Sequence, residues 1–150
     1  ISELADCGVA LVVCPHFSKT KTHGATFWQG REKAVLMLTI RGKWADIFWF
    51  SLFHEIGHIL LHSKQGVILE NNGRDQIEKE ADDFASNTLI PSEAYARFMR
   101  KGTFYKNDIA DFANIIGIST GIVVGRLQHE KLIKPEWAND LRVRYEWRQD

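Results

Sequence analysis

The fold is predicted from one long segment, WADIFWFSLFHEIGHILLH, residues 44–62. It has no proline, and no glycine occurs before Gly57, so this long apolar run favours a buried helix over a strand. A helix that is apolar nearly all the way round belongs to a protein core. His54, Glu55 and His58 interrupt the apolar surface, and ionisable side chains rarely enter a core without partners. The stretch therefore predicts a core helix that carries a polar site.

Residues 54–58 of this helix, HEIGH, match the HExxH pattern. Side chains four residues apart lie on one face of a helix, about 5–6 Å apart at Cβ, so the two imidazoles can bind one ion. Glu55 lies about 100° round the helix, beside that ion rather than among its ligands. There its carboxylate can take a proton from water, whose pKa a catalytic zinc lowers to about 7. The pattern predicts a Zn2+ site with His54 and His58 as metal ligands and Glu55 as the catalytic general base.

A catalytic zinc usually has three protein ligands, and a second predicted helix, residues 76–89, offers several acids. Glu78 and Asp82 share a face of that helix, so Glu78 can ligate the metal while Asp82 orients a liganding histidine. Glu80 lies about 200° from Glu78, so only one of these two glutamates can point at the ion, and we favour Glu78. For Glu80 and Asp83 we expect a solvated helix face.

His62 is a further histidine of the first helix, but it lies about 12 Å along a straight helix axis from His54, at about 1.5 Å per residue. Three histidines at this spacing cannot all reach one ion. We therefore expect His62 to pack or hydrogen bond near the end of the helix, and the alternative is that it supports a liganding histidine without touching the ion. Two imidazoles and one carboxylate suit zinc, and manganese or iron is the alternative ion.

Three runs before the metal helix are rich in β-branched, aromatic and aliphatic residues and are bounded by glycines: 9–13, 25–28 and 34–40. The intervals are too short for helical crossovers, apart from the one at 15–23, where we expect a loop; the runs thus predict a small antiparallel sheet. After the metal helix, Asn71-Asn72-Gly73 predicts a loop or short hairpin within residues 65–75. Further helices are expected, one capped by Ser92 and running through Lys101, one capped by Asp108 and ending before Gly117, and a short one around 122–127.

The chain has 150 residues, of which 45% are hydrophobic and 25% charged, the size and balance of one globular domain. We expect a single α+β metallopeptidase-like domain in which the sheet packs on the HExxH helix. Residues 1–42 would form mainly strands, 43–91 the metal-site helices and 92–150 a helical C-terminal part. Because the first residue is Ile1 rather than methionine, we expect a fragment or a processed product.

Charge and composition exclude several classes of protein. Nineteen Lys and Arg residues balance nineteen Asp and Glu residues, so no global field draws the chain to nucleic acid or to an anionic membrane. No stretch has the eighteen or more apolar residues of a membrane span, and the N-terminus lacks a signal-peptide pattern. Cys7 and Cys14 are too few for a secreted disulfide framework, and we expect buried free thiols. These features predict a soluble, cytoplasmic protein.

The HEIGH segment is followed by EKEADDFA at 78–85 and by LIP at 89–91, and this combination resembles the ImmA/IrrE family of bacterial and phage metallopeptidases. Residues 125–128, GRLQ, are similar to the tail of some members. The resemblance implies a zincin-like architecture and a glutamate ligand from the second motif. It also implies cleavage or control of a DNA-bound repressor or an antitoxin-type partner.

In many relatives a helix-turn-helix domain precedes the peptidase domain, so the resemblance assigns DNA contact to a missing N-terminal domain. In zincins the strand before the active helix commonly pairs with extended substrate, and residues 34–40 are placed to do so or to form an ordinary core or edge strand. Tyr95, Tyr105 and His129 are candidate donors to the oxyanion, and no spacing singles one out.

Two other functions are open at this point. Residues 109–123 suit two helices joined by a tight turn, as in a DNA-binding module, but 120–127 supplies only Arg126 for phosphate and base contact. The other alternative keeps the zinc and drops catalysis, as a sensor or interaction domain of a DNA-binding transcriptional regulator or antitoxin. We favour a zinc metallopeptidase that cleaves a protein partner.

Overall fold

The computed structural model describes residues 2–15, 23–30, 32–62 and 71–146. The strands in these residues are β1 (Val9–Cys14), β2 (Gly24–Gln29) and β3 (Lys33–Thr39). The helices are α1 (Ser2–Asp6), α2 (Ala45–Leu61), α3 (Asn71–Leu89), α4 (Ser92–Met99), α5 (Lys106–Ile116) and α6 (Thr120–His129). Short 3-10 turns lie at Arg41–Lys43 and Asn139–Leu141. The fold is α+β, as predicted, and is consistent with a zincin-like architecture.

The three strands form one mixed sheet in the order β1-β3-β2. β2 and β3 are antiparallel, with Ala25 opposite Met37, as predicted. β1 and β3 are parallel, with Leu11 opposite Leu36, so the prediction of a wholly antiparallel sheet is wrong. Because β2 runs back along the outer edge of β3, it reverses the chain between β1 and β3 and makes them parallel without a helical crossover. Of the loop predicted between β1 and β2, residues 16–22 lie outside the described residues.

One face of this sheet packs against α2. Burial alternates along β3 because successive side chains point to opposite faces, and Ala34, Leu36 and Leu38 are buried. These side chains form one core cluster with Val9 and Leu52. Burying a leucine side chain contributes about 1.5–3 kcal/mol, so the cluster holds the HExxH segment firmly against the sheet.

α2 also packs closely against α3. Gly57 permits this approach, because a Cβ atom at that position would lie 3.2 Å from Ala81 Cα and 3.2 Å from a ring atom of Phe84. Ala81 and Ala85 on α3 are fully buried, so small residues line both sides of the contact. The close approach brings the acidic side chains of α3 next to the histidines of α2.

A second core cluster lies among α4, α5 and α6. The rings of Phe98 and Phe112 stack 4.3 Å apart, and Val123 and Leu127 of α6 are fully buried. Gly117 ends α5 in the left-handed conformation, with φ of 70°, which favours glycine. Among the described residues, no single helix is long and apolar enough to cross a membrane; α5 and α6 reach that length and composition only when taken together across a 118° bend.

A buried ion pair fastens the C-terminal segment to the start of α2. Arg142 donates to Asp46 through Nη2 at 2.7 Å and through Nε at 3.0 Å. The two side chains are only 8% and 6% exposed, and the guanidinium lies 4.2 Å from the centre of the Trp44 ring. Gly125 of α6 lies against the same carboxylate, where a Cβ atom would collide with it. Asp46 is therefore the point at which α2, α6 and the C-terminal segment meet.

The start of α3 differs from the sequence prediction. The helix begins at Asn71, so the loop predicted within 65–75 is wrong for residues 71–75, while 65–70 lies outside the described residues. Asparagine and glycine are weak helix formers, but propensity is a weak preference that tertiary packing overrides. Here α3 gains its packing from α2.

The predicted helix caps are also shifted. α4 begins at Ser92 itself, and Pro91 precedes it with an extended ψ of 131° and no side-chain cap. α5 begins at Lys106 rather than at Asp108. Both helices exist where they were predicted, but the cap residues lie inside the first turn instead of before it.

Cys7 and Cys14 are free thiols, as predicted. The prediction that both are buried is wrong, because Cys7 is exposed and Cys14 is only half-buried. β1 begins at Val9, so Cys7 lies in the turn that precedes the strand.

Candidate metal centre

His54, His58 and Glu78 meet where α2 packs on α3. The Nε2 atoms of the two histidines are 3.0 Å apart. Glu78 Oε2 lies 3.3 Å from Nε2 of His54 and 3.6 Å from Nε2 of His58. In the part of the chain that the structure describes, these three residues form the one cluster of ligand-type side chains close enough to share an ion.

The spacing of these three atoms fits a divalent metal ion. Two nitrogen ligands about 2.0–2.1 Å from a tetrahedral zinc lie roughly 3.3 Å apart, close to the separations of 3.0, 3.3 and 3.6 Å found here. Two imidazole nitrogens and one carboxylate oxygen are also the donors that suit zinc. The cluster can therefore hold a metal with a position left for water, and the roles of its members as ligands stay predictions.

Asp82 holds the first histidine in the orientation that this arrangement needs. Its Oδ1 atom lies 2.8 Å from Nδ1 of His54. With the ring proton on Nδ1 and donated to this carboxylate, Nε2 of His54 keeps its lone pair for the ion. Glu78 and Asp82 thus act on one face of α3, as their spacing of four residues predicts.

The second histidine is contacted by another histidine. His58 Nδ1 lies 2.9 Å from Nδ1 of His62, and His62 Nε2 lies 3.3 Å from Oε2 of Glu80. His62 hydrogen bonds near the end of the helix, as expected. Glu80 was predicted to belong to a solvated face; its side chain is 46% exposed, yet it also accepts a hydrogen bond from Gln76 at 2.8 Å. Asp83 is exposed, as expected.

Burial, neighbouring charges and hydrogen bonds shift the pKa values of His58 and Glu80. Burial and the neighbouring His54 lower the pKa of His58 below its ordinary value, which favours the neutral imidazole that binds metals. The hydrogen bonds from Gln76 and His62 lower the pKa of Glu80, so its carboxylate stays ionised.

Glu55 lies beside the cluster, under the edge strand β2. It is buried, with 7% of its surface exposed, and its Oε2 atom accepts a hydrogen bond of 2.6 Å from Thr26 Oγ1. Gly24 makes room for it, because a Cβ atom at Gly24 would lie 2.7 Å from Glu55 Oε1. The sequence offers no signal for this contact beyond the alternation of β2, which turns Thr26 towards α2.

A cavity of about 1280 Å³ opens at the metal centre and extends between α2, α3 and α6. Phe50 and Ile47 line it from α2, one and two helical turns before His54. Ile90 and Ile122 add apolar surface from the end of α3 and from α6. The cavity is large enough for side chains of a peptide, and its walls are mainly apolar beyond the metal residues.

β2, rather than β3, is the strand available to a bound peptide. β3 lies in the centre of the sheet and pairs with strands on both sides, so of the two alternatives left open for 34–40 the structure supports an ordinary core strand and contradicts pairing with substrate. Among the described residues β2 is one of the two edge strands of the sheet, and residues 23–28 line the cavity.

Of the three residues considered as oxyanion donors, His129 is the one that lines the cavity. Its ring lies 6.3 Å from that of Phe50, which in turn lies 6.4 Å from the ring of His54. Tyr95 is buried and donates to Glu130 at 2.6 Å, and burial raises its pKa well above the ordinary value. Tyr105 is 69% exposed, away from the cavity.

Helix α6 does not present the surface of a recognition helix. Its apolar residues Val123, Val124 and Leu127 are fully buried. Arg126 donates to Glu130 at 2.9 Å and to the carbonyl oxygen of Ser86 at 3.2 Å. The helix therefore serves the core and the cavity wall.

A protein-family model described as Peptidase_M78, IrrE N-terminal-like domain, matches residues 8–128. This range runs from the turn before β1 to the last residues of α6, and it includes every residue of the metal centre. No match was found among curated proteins.

Proposed function

The chain belongs to the IrrE N-terminal-like domain family of metallopeptidases, and from this membership we propose that it is a zinc-dependent endopeptidase that cleaves a protein partner. The observation that carries the proposal is the convergence of His54, His58 and Glu78 within 3.6 Å of one another, with the buried carboxylate of Glu55 one residue away on α2. Three ligands and an adjacent base are the parts that a zinc-dependent hydrolase uses to activate water.

In this proposal His54, His58 and Glu78 would hold the ion. A zinc ion held there would supply a Lewis acid that polarises the scissile carbonyl and lowers the pKa of water to about 7. Glu55 would take the proton of the attacking water and return it to the leaving amine. Thr26 donates a hydrogen bond to Oε2 of that carboxylate and holds its orientation.

The substrate would bind as an extended segment along the free edge of β2. Main-chain hydrogen bonds to this edge bind many sequences, and the apolar wall formed by Ile47, Phe50 and Ile122 favours an apolar side chain near the scissile bond. His129 is the donor best placed to stabilise the oxyanion, because it lines the same cavity.

The proposed partner is a cytoplasmic transcriptional repressor or antitoxin-type regulator. Support for this class comes from the family resemblance of residues 54–58 and 78–91, since the cavity by itself selects only an extended, partly apolar peptide. Contact with DNA would come through a further domain, because Arg126 of α6 makes hydrogen bonds within this domain.

The test uses zinc-loaded protein and a mixture of unstructured peptides whose fragments are read by mass spectrometry. Wild type is expected to cut, Glu55→Gln to keep its zinc and lose cleavage, and His54→Ala to lose both. Equal cleavage by wild type and Glu55→Gln would refute the role of Glu55. If zinc binds and no peptide or candidate regulator is cut, the non-catalytic sensor function replaces the peptidase.

A further inference from the structure

We propose that His62 and Glu80 are positioning residues for the metal centre, which together orient His58 as Asp82 orients His54. The inference rests on the proposed function, since it assumes that His58 binds a metal. It assigns a role to two side chains that neither the HExxH pattern nor the ligand cluster includes.

The contacts form a chain across the end of α2. His58 turns Nε2 towards His54 and Glu78, and its other nitrogen, Nδ1, meets Nδ1 of His62 at 2.9 Å. The far nitrogen of His62 meets Glu80 at 3.3 Å. Gln76, one helical turn before Glu80 on α3, donates a hydrogen bond of 2.8 Å to the other oxygen of Glu80 and so fixes the carboxylate.

Proton positions along this chain follow from the chemistry of imidazole. A neutral imidazole carries one proton, so His58 can offer Nε2 to an ion only with its proton on Nδ1. Nδ1 of His62 must then accept that proton in a hydrogen bond, and the proton of His62 lies on Nε2. This N–H donates to Glu80, whose carboxylate can only accept. Each donor therefore meets an acceptor. All N–H groups in this row of hydrogen bonds point from the metal site towards Glu80.

The backbone explains how His62 reaches this position. α2 ends at Leu61, and His62 leaves the helix with φ of −112° and ψ of 143° while its backbone N–H donates to the His58 carbonyl oxygen at 3.2 Å. His62 follows His58 by four residues, a spacing that places two side chains on one face of a helix. Its ring lies 5.0 Å from the ring of His58, and its side chain is only 14% exposed.

The two metal histidines are thus held differently. His54 is held by a carboxylate directly, whereas His58 is held by a neutral ring that is itself held by a carboxylate. Partners of this kind fix the orientation of the ligand ring and raise its basicity, and losing one weakens metal binding by about 10–100-fold. We expect a loss in this range for His62 and a smaller one for Glu80, which acts one residue further away.

The test measures zinc affinity of the full chain by competition with a chromophoric chelator. His62→Leu is expected to weaken zinc binding by about 10–100-fold. His62→Asn places an amide oxygen near the position of Nδ1, so it should recover part of the affinity without the bond to Glu80. Glu80→Ala should weaken binding, whereas Asp83→Ala, which removes an equal charge from an exposed site on α3, should not.

A second measurement, the visible spectrum, separates failure of this inference from failure of the proposed function. The visible spectrum of the cobalt-substituted protein should change in His62→Leu and move back in His62→Asn, because it reports the geometry of the ligands. Unchanged affinity and spectrum in both His62→Leu and Glu80→Ala, beside a wild type that binds zinc, would overturn this inference alone. A wild type that binds no zinc would overturn the proposed function as well.

Discussion

Removing the carboxylate of Asp46 tests whether burial, rather than distance, decides the strength of an ion pair in this protein. Asp46 and Arg142 are 2.7 Å apart and only 6% and 8% exposed, whereas Asp140 and Lys106 are 2.8 Å apart and 61% and 47% exposed. Asp46→Ala leaves a buried guanidinium without its counter-charge, a change that costs about 3–5 kcal/mol. Asp140→Ala is expected to leave stability almost unchanged, because water and salt screen that pair.

The lower end of this range is the better expectation for Asp46→Ala. Arg142 keeps hydrogen bonds through Nη1 to Gln128 at 2.9 Å and to Asn139 at 3.2 Å, and it still stacks on Trp44. We therefore expect the free energy of unfolding to fall by about 3 kcal/mol. Urea unfolding with linear extrapolation measures this fall directly.

A double variant supplies the control. Adding Arg142→Met to Asp46→Ala removes the unpaired charge, so part of the lost stability should return. Equal shifts of the urea midpoint in Asp46→Ala and Asp140→Ala, or no recovery in the double variant, would show that burial does not determine how much this ion pair contributes to stability.

Three further substitutions test the metal centre and its supports. Thr26→Val removes the hydrogen bond to Glu55, the proposed general base, and should lower kcat by roughly tenfold at unchanged zinc content, the equivalent of about 1.4 kcal/mol; an unchanged kcat would contradict it. Gly57→Val crowds the main chain of Ala81, so it should destabilise the fold by about 1–3 kcal/mol in thermal unfolding and weaken zinc binding in a titration. Wild-type zinc affinity in this variant would contradict the role of the close helix contact. Asp82→Ala should reduce zinc affinity by about 10–100-fold, because His54 loses the carboxylate that orients its ring. Wild-type affinity in a competition titration would refute this orienting role of Asp82.

The parts of the site that lie on one helix could be predicted from the sequence. His54 and His58 share a face because they are four residues apart, and the same spacing puts Glu78 and Asp82 together on the next helix. Helix geometry also separates Glu78 from Glu80 by about 200°, and the structure turns Glu78 to the histidines and Glu80 to the helix end. Spacing along a helix therefore predicts which side chains share one face of that helix.

The parts that depend on distant segments could not be predicted. Thr26 and Glu55 are 29 residues apart, and Asp46 and Arg142 are 96 apart, so no local pattern links them. The parallel pairing of β1 with β3 depends on where β2 lies in the sheet, which strand propensity does not encode. The contact between His62 and Glu80 joins the end of α2 to α3, so it depends on how the two helices pack, which no spacing along one helix predicts.

Two histidines of α2 and one glutamate of α3 are proposed to bind a single divalent ion. Elemental analysis of zinc-loaded, dialysed protein measures this binding, with His58→Ala and Glu78→Ala as ligand variants and the exposed Asp83→Ala as the matched control. We expect one zinc per chain in wild type and Asp83→Ala, and a substoichiometric amount in the two ligand variants. Full zinc occupancy in Glu78→Ala and His58→Ala, or none in wild type, would contradict it.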